Sequence, residues 1–211
     1  MDAIMRGIDA GRFVPGQRLI EADLTRELKV SRGPVREAFK RLAGEGVLTL
    51  NRHRGAYIRA LDREGVRDTL IVIEVITSLA AKLAARHINE GDNRERFEAA
   101  YERLKSYRNQ GETLAFLAER RHFYDTLVQI AGNPELQRVM PQMQISLLRL
   151  QFQSYITRKQ HEYQFQELEA IADAVLAGDA KRAERATKTH LRRRRVSLTN
   201  LPDEAFAAAQ G

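Results

Sequence analysis

The chain contains no cysteine and no tryptophan, and only five prolines in 211 residues. Without cysteine there is no disulfide framework, no thiolate metal site and no cysteine nucleophile. No apolar run approaches the ~18 residues needed to span a bilayer, and no signal-peptide pattern is visible. The expectation is a cytoplasmic protein that does not engage a membrane. Neither a glycine-rich phosphate loop nor a nucleophile–base pair at motif spacing occurs, so the sequence offers no catalytic residues. Internal repeats and low-complexity tracts are also missing.

What is present is positive charge, unevenly placed. The formal net charge is +7, and residues 1–60 carry twelve Lys/Arg against seven Asp/Glu. Residues 61–211 carry twenty-three against twenty-one, which is close to balance. The N-terminal part is therefore the part expected to meet a polyanion.

Within it, Ile4 and Ile8 share a helical face in a pattern already running at Met1, so the first helix is expected to lack its natural start. Pro15-Gly16 marks a turn, and Glu21 to Leu28 reads as a short second helix. Ser31 is placed to cap a third helix over roughly residues 32–43, with Pro34 in its first turn, where a missing N–H is tolerated. Val35, Ala38, Phe39 and Leu42 give that helix an apolar back. Arg32 and Arg36 lie four apart and project from one face, with Gly33 between them allowing a close backbone approach. Cations do not suit a helix N-terminus, so this turn reads as built for phosphates and base edges. Val47–Leu50 and Ala56–Arg59 alternate as two strands around the basic tip Arg52-His53-Arg54-Gly55. Three helices followed by such a hairpin describe a winged helix-turn-helix.

Near Ala60-Leu61-Asp62 the pattern becomes long and helical. Helices are expected at about 62–89, 93–110, 113–131, 134–157, 161–177 and 180–198, with Pro141 kinking or dividing the fourth. The expected fold is mainly α: a winged helix at 1–60, an all-α antiparallel bundle of six or seven helices at 61–200, and a flexible, alanine-rich tail at 201–211. The run Arg192-Arg193-Arg194-Arg195 wraps the whole helix circumference and reads as a solvated helix end, with auxiliary phosphate or interdomain contact as the alternative.

The stretch from Ile8 to Tyr57 resembles the winged-helix domain of the GntR family of bacterial transcription regulators. The residues that carry the likeness are Pro15-Gly16-Gln17-Arg18-Leu19, Leu24, Leu28, Val30 to Ala38, Leu42-Ala43, Glu45-Gly46 and Arg54-Gly55. The resemblance implies DNA contact by Ser31, Arg32, Gly33, Pro34 and Arg36. From the wing it implies His53 and Gly55, to which the basic tip adds Arg52 and Arg54. Ala22 stands where relatives often have an arginine on the second helix, so that contact is not expected.

The helical part is similar to the FCD-type effector-binding domain of the FadR-like subfamily, through Ala131-Gly132-Asn133-Pro134, Ala170-Ile171, Gly178-Asp179, Ala183 and His190-Leu191. Many members hold a divalent metal on one Asp and three His. Here the corresponding positions are Arg120, Tyr124, Leu168 and His190, so neither a family-type metal site nor another cofactor is expected. His161 reads as a surface histidine, with substitution for the lost ligand at 168 as the alternative. The candidate effector pocket comprises Ile73, Thr77, Arg120, Tyr124, Leu168 and His190. In it Arg120 either clamps a carboxylate or phosphate, or pairs with an acid in a cavity that has closed.

These features describe a ligand-responsive regulator, expected to be a repressor, whose homodimer reads a short pseudo-palindromic operator in double-stranded DNA. Two other classes compete with it: an effector-independent architectural DNA-binding protein, and an enzyme housed in the helical part.

Overall fold

A computed structural model of the chain describes residues 1–51, 55–140 and 142–207, and the side chains of all of these except 142–146. The order of elements is α1 (Asp2–Asp9), β1 (Arg18–Leu19), α2 (Glu21–Leu28), α3 (Arg32–Gly44), β2 (Leu48–Asn51) and β3 (Gly55–Ile58). Helices follow: α4 (Arg63–His87), α5 (Asn93–Lys105), α6 (Leu114–Ile130), α7 (Pro134–Val139), α8 (Gln142–Phe152), α9 (Arg158–Leu176) and α10 (Ala180–Thr199). Among the described residues, no helix is long and apolar enough to cross a membrane.

The chain forms two compact units. Among the described residues, the first comprises those within 1–63, α8 and residues 202–207; the second comprises residues 64–140 and 153–201. The winged helix of the first unit gains a strand over the hairpin read from sequence. β1 pairs antiparallel with β3, giving the sheet order β1-β3-β2. Leu48 lies opposite Ile58, and Asn51 opposite Gly55. Val35, Phe39 and Leu42 bury the back of α3, while Leu24 buries α2. Lys29 takes up a left-handed conformation (φ 52°) that turns the chain from α2 towards α3.

Helix α8 and the C-terminal segment belong to this first unit, although the sequence reading assigned them to the bundle and to a fraying tail. Leu147, Leu148, Leu150 and Phe152 are buried, so α8 is held by apolar packing. Gln151 accepts a hydrogen bond from the Leu61 amide at 2.9 Å and donates to the carbonyls of Leu61 (2.8 Å) and Ala205 (3.1 Å). Phe206 packs on Phe152 with ring centroids 5.4 Å apart, and the Arg63 guanidinium lies over Phe206. Residues 202–207 therefore close a seam rather than fray.

In the second unit, helix ends form where side chains can satisfy the free amides. Thr113 accepts from Phe116 N, and Asn133 accepts from Glu135 N and Leu136 N with Pro134 at the first helical position. Thr157 and Gln160 form a reciprocal capping box at the start of α9. The expected helix over 134–157 is divided: α7 ends at Val139 and α8 starts at Gln142, bracketing Pro141. Phe97, Phe116, Phe123, Phe165 and Leu168 are fully buried and form the bundle's core.

Candidate functional site

In the first unit, Ser31 occupies the N-cap position of α3 in an extended conformation, without a side-chain hydrogen bond into the helix. The residue is exposed, and its side chain does not close the helix end. Arg32, Gly33, Pro34 and Arg36 are exposed on the first turns. A Cβ added at Gly33 would meet nothing within 4 Å, so the fold itself has no need of glycine there.

Arg36 is held from behind. Its Nε donates to Glu21 Oε2 of α2 at 2.9 Å, while 61% of its side chain remains exposed. The ion pair thus ties α3 to α2, the helix before it. At the base of the wing, Gly55 adopts φ 91°, a left-handed geometry that favours glycine. Arg18 of β1 packs alongside, its Nε 3.7 Å from where a Gly55 Cβ would stand. Arg18 entered the sequence reading only as part of the family likeness and not as a site residue, because the two-residue strand carrying it forms only through pairing with β3. The wing residues Arg52, His53 and Arg54 lie outside the described residues.

In the second unit, the six candidate pocket residues Ile73, Thr77, Arg120, Tyr124, Leu168 and His190 are all buried. Arg120 Nη1 donates to Glu112 Oε1 at 3.3 Å and to Gln164 Oε1 at 3.1 Å. Its guanidinium lies over the Phe116 ring, 5.0 Å from the centroid. Burial pushes the Glu112 carboxyl up, but Arg120, the hydrogen bond from His161 and the charge of Arg194 outweigh it and hold the group at about 2. His190 Nδ1 lies 2.9 Å from Glu167 Oε2, and Arg193 bonds the other oxygen of the same carboxylate. Burial pushes His190 below the ordinary histidine value, against the pull of Glu167.

This donor set does not fit a divalent cation. Position 120 is itself cationic and already bonded to a carboxylate, and Leu168 is apolar and fully buried. Among the described residues, no group of three or more His, Asp or Glu is placed to hold a metal.

Two sequence expectations are corrected here. His161 is buried rather than on the surface: its Nε2 lies 3.0 Å from the Arg108 carbonyl, and its ring packs edge-on against Phe116. Seven residues before Leu168, it shares the core-facing stripe of α9. The arginine run is only partly solvated and is not the helix end: Arg192 and Arg193 are exposed, but α10 continues to Thr199. Arg192 and Arg195 both bond Glu74 of α4, and Arg193 bonds Glu167. Arg194 is buried, with no hydrogen-bond partner for either terminal nitrogen. Glu112, Gln164, Glu167 and Arg194 were not foreseen as site residues. The only local signal was the spacing of four between His190 and Arg194, which puts them on one face.

Comparison with known proteins agrees with this architecture. Residues 1–58 match the gntR family of bacterial regulatory proteins, and residues 68–193 match the FCD domain. A probable D-xylose utilization operon transcriptional repressor of Paenarthrobacter nicotinovorans is 26% identical over 194 residues, covering 90% of this chain and 83% of that protein. The HTH-type transcriptional repressor RspR of Escherichia coli K12 is 26% identical over 193 residues, covering 91% of this chain and 84% of that protein. In fold, the chain is similar to a putative GntR transcriptional regulator from Rhodococcus sp. RHA1, with a TM-score of 0.80, 24% identity and coverage of 95% and 96%. An N-terminal winged helix followed by an FCD helical domain makes this chain a member of the gntR family of bacterial transcription regulators, in its FadR-like, FCD-containing subfamily.

Proposed function

We propose that this regulator is a cytoplasmic, effector-responsive repressor that binds a short pseudo-palindromic DNA operator as a homodimer. The carrying observation is the first turn of α3, where exposed Arg32 and Arg36 flank a glycine that the fold does not require. Ser31, Arg32, Gly33, Pro34 and Arg36 contact phosphates and base edges in the major groove, while Gly55 and the wing residues Arg52, His53 and Arg54 serve the neighbouring minor groove or backbone. Operon repressors among the relatives support the repressing sign.

Dimerisation is supported by α4. Ile71, Val72, Val75 and Leu79 are all more than 40% exposed and recur at helical spacing. A contiguous apolar stripe of this kind is suited to the same stripe on a second copy. The helical unit receives a small-molecule effector in its polar interior, and differential affinity of that ligand for two arrangements of the dimer changes operator binding.

The test is fluorescence anisotropy of the full chain on duplex DNA across a salt series, beside sedimentation of the wild type and of Val75→Glu. Dimeric wild type with affinity falling steeply in salt, and a largely monomeric variant, support the reading. Salt-independent binding, or a monomeric wild type, contradicts it.

A further inference from the structure

The open face of α4 is spaced identically from either end. Glu64, Asp68, Ile71, Val75, Leu79, Lys82 and Arg86 follow one another at steps of four, three, four, four, three and four residues. At about 100° per residue, all seven lie within roughly 40° of one line along the helix. Val75, at the centre, is 61% exposed, and only Lys82 among the seven is half-buried.

The two ends of this stripe differ in sign. Glu64 and Asp68 precede the apolar middle, and Lys82 and Arg86 follow it. Asp68 and Arg86 make no ion pair among the described residues, and Glu64 reaches Arg67 only at 3.9 Å. Lys82 lies 2.9 Å from Glu184 of α10, an acid shared with Lys188. The helix dipole accounts for an acid in the first turn and a base in the last, which are Glu64 and Arg86. Its influence fades within one turn, so it does not account for Asp68 and Lys82.

An antiparallel copy of the same helix, related by a two-fold axis at Val75, sets Val75 on Val75 and Ile71 on Leu79. Asp68 then stands opposite Lys82, and Glu64 opposite Arg86, so each residue meets its complement as a two-fold interface requires. A parallel copy in register sets acid on acid and base on base, which is repulsive. The outer pair stands eleven residues, about 16 Å, from the axis. A shallow crossing of roughly 20° keeps these long side chains within reach of each other. The ion pairs Lys82–Glu184 and Glu74–Arg192 run α10 antiparallel beside α4, which brings exposed Val196 level with Ile71 and widens the apolar middle.

We propose that α4 pairs antiparallel with α4 of a second copy, and that its flanking charges fix the register and restrict pairing to copies with opposite signs at the matching positions. The proposal rests on the homodimer reading above and adds orientation and self-selection to it.

The experiment is sedimentation of the full chain in three charge-reversed forms, each checked for folding by circular dichroism. One form carries Glu64→Lys and Asp68→Lys, the second carries Lys82→Glu and Arg86→Glu, and the third carries all four changes. The first two are each expected to dimerise at least about tenfold more weakly than the wild type, and to recover in high salt. Mixed together they are expected to form a heterodimer, and the third form is expected to dimerise by itself, since both arrangements restore opposite charges. Charges that serve only the helix dipole give no such recovery on mixing. A dimeric wild type whose assembly is unaffected by reversal overturns the proposal and leaves the homodimer reading in place. Weakened forms that recover neither on mixing nor in the fourfold variant also overturn it. A monomeric wild type removes both readings.

Discussion

Arg36 Nε bonds Glu21 Oε2 at 2.9 Å, so the arginine proposed to read DNA carries an intramolecular counter-ion. Such an exposed pair contributes little to stability, on the order of 1 kcal/mol or less. Its effect is on recognition. Glu21→Gln is expected to leave the melting temperature nearly unchanged and to tighten non-specific duplex binding by freeing a cation. Weaker binding by that variant would mean that Glu21 acts mainly to orient Arg36.

Gly33 separates folding from recognition. Because its Cβ would enter open space on a helix, Gly33→Ala is expected to stabilise the protein by up to about 1 kcal/mol. The same methyl group stands on the face proposed to meet DNA, so duplex affinity is expected to fall. Paired thermal-melting and anisotropy measurements check both signs.

Gly7 behaves in the opposite way. A Cβ there would sit 2.4 Å from the Phe13 ring, which is buried against α1. Gly7→Ala is expected to destabilise the first unit by about 1–3 kcal/mol through overpacking, seen as a lower denaturation midpoint. Phe13→Leu in the same background is expected to recover part of the loss.

Glu112 links stability to acid pH. Its carboxyl is held at about 2, below the ordinary 4.5, so its contribution is fully present above pH 4.5 and disappears as pH falls through about 2. Glu112→Gln leaves Arg120 buried without its carboxylate and is expected to cost about 3–5 kcal/mol at neutral pH. The gap in melting temperature between wild type and variant should narrow between pH 4.5 and 2.

Much of this fold is legible in the residues, for local reasons. Glu21 to Leu28 and the helix starting after Ser31 are marked by turn residues and apolar spacing within a few positions of each other. Gly132-Asn133-Pro134 likewise carries its own stop, cap and start. What was missed depends on partners distant in sequence. Strand β1 exists only by pairing Arg18 and Leu19 with Tyr57 and Ala56. Helix α8 joins the first unit because Gln151 bonds Leu61, ninety residues earlier, and Ala205. The arginine run looked solvated because Glu74, which binds Arg192 and Arg195, lies more than a hundred residues upstream. The buried charge cluster was half visible: the substitutions at Arg120, Tyr124 and Leu168 could be read, but the pairing of Arg120 with Glu112 and the orphaned Arg194 could not.

The most direct test of the central claim is selection from a pool of random DNA duplexes by the full-length chain and by Arg36→Ala, followed by sequencing of the bound fraction. The wild type is expected to enrich one short, two-fold-symmetric site. Arg36→Ala, folded by circular dichroism, is expected to retain salt-sensitive binding while enriching no site. Absence of any enriched sequence with the wild type, or enrichment of the same site by Arg36→Ala, would contradict the account.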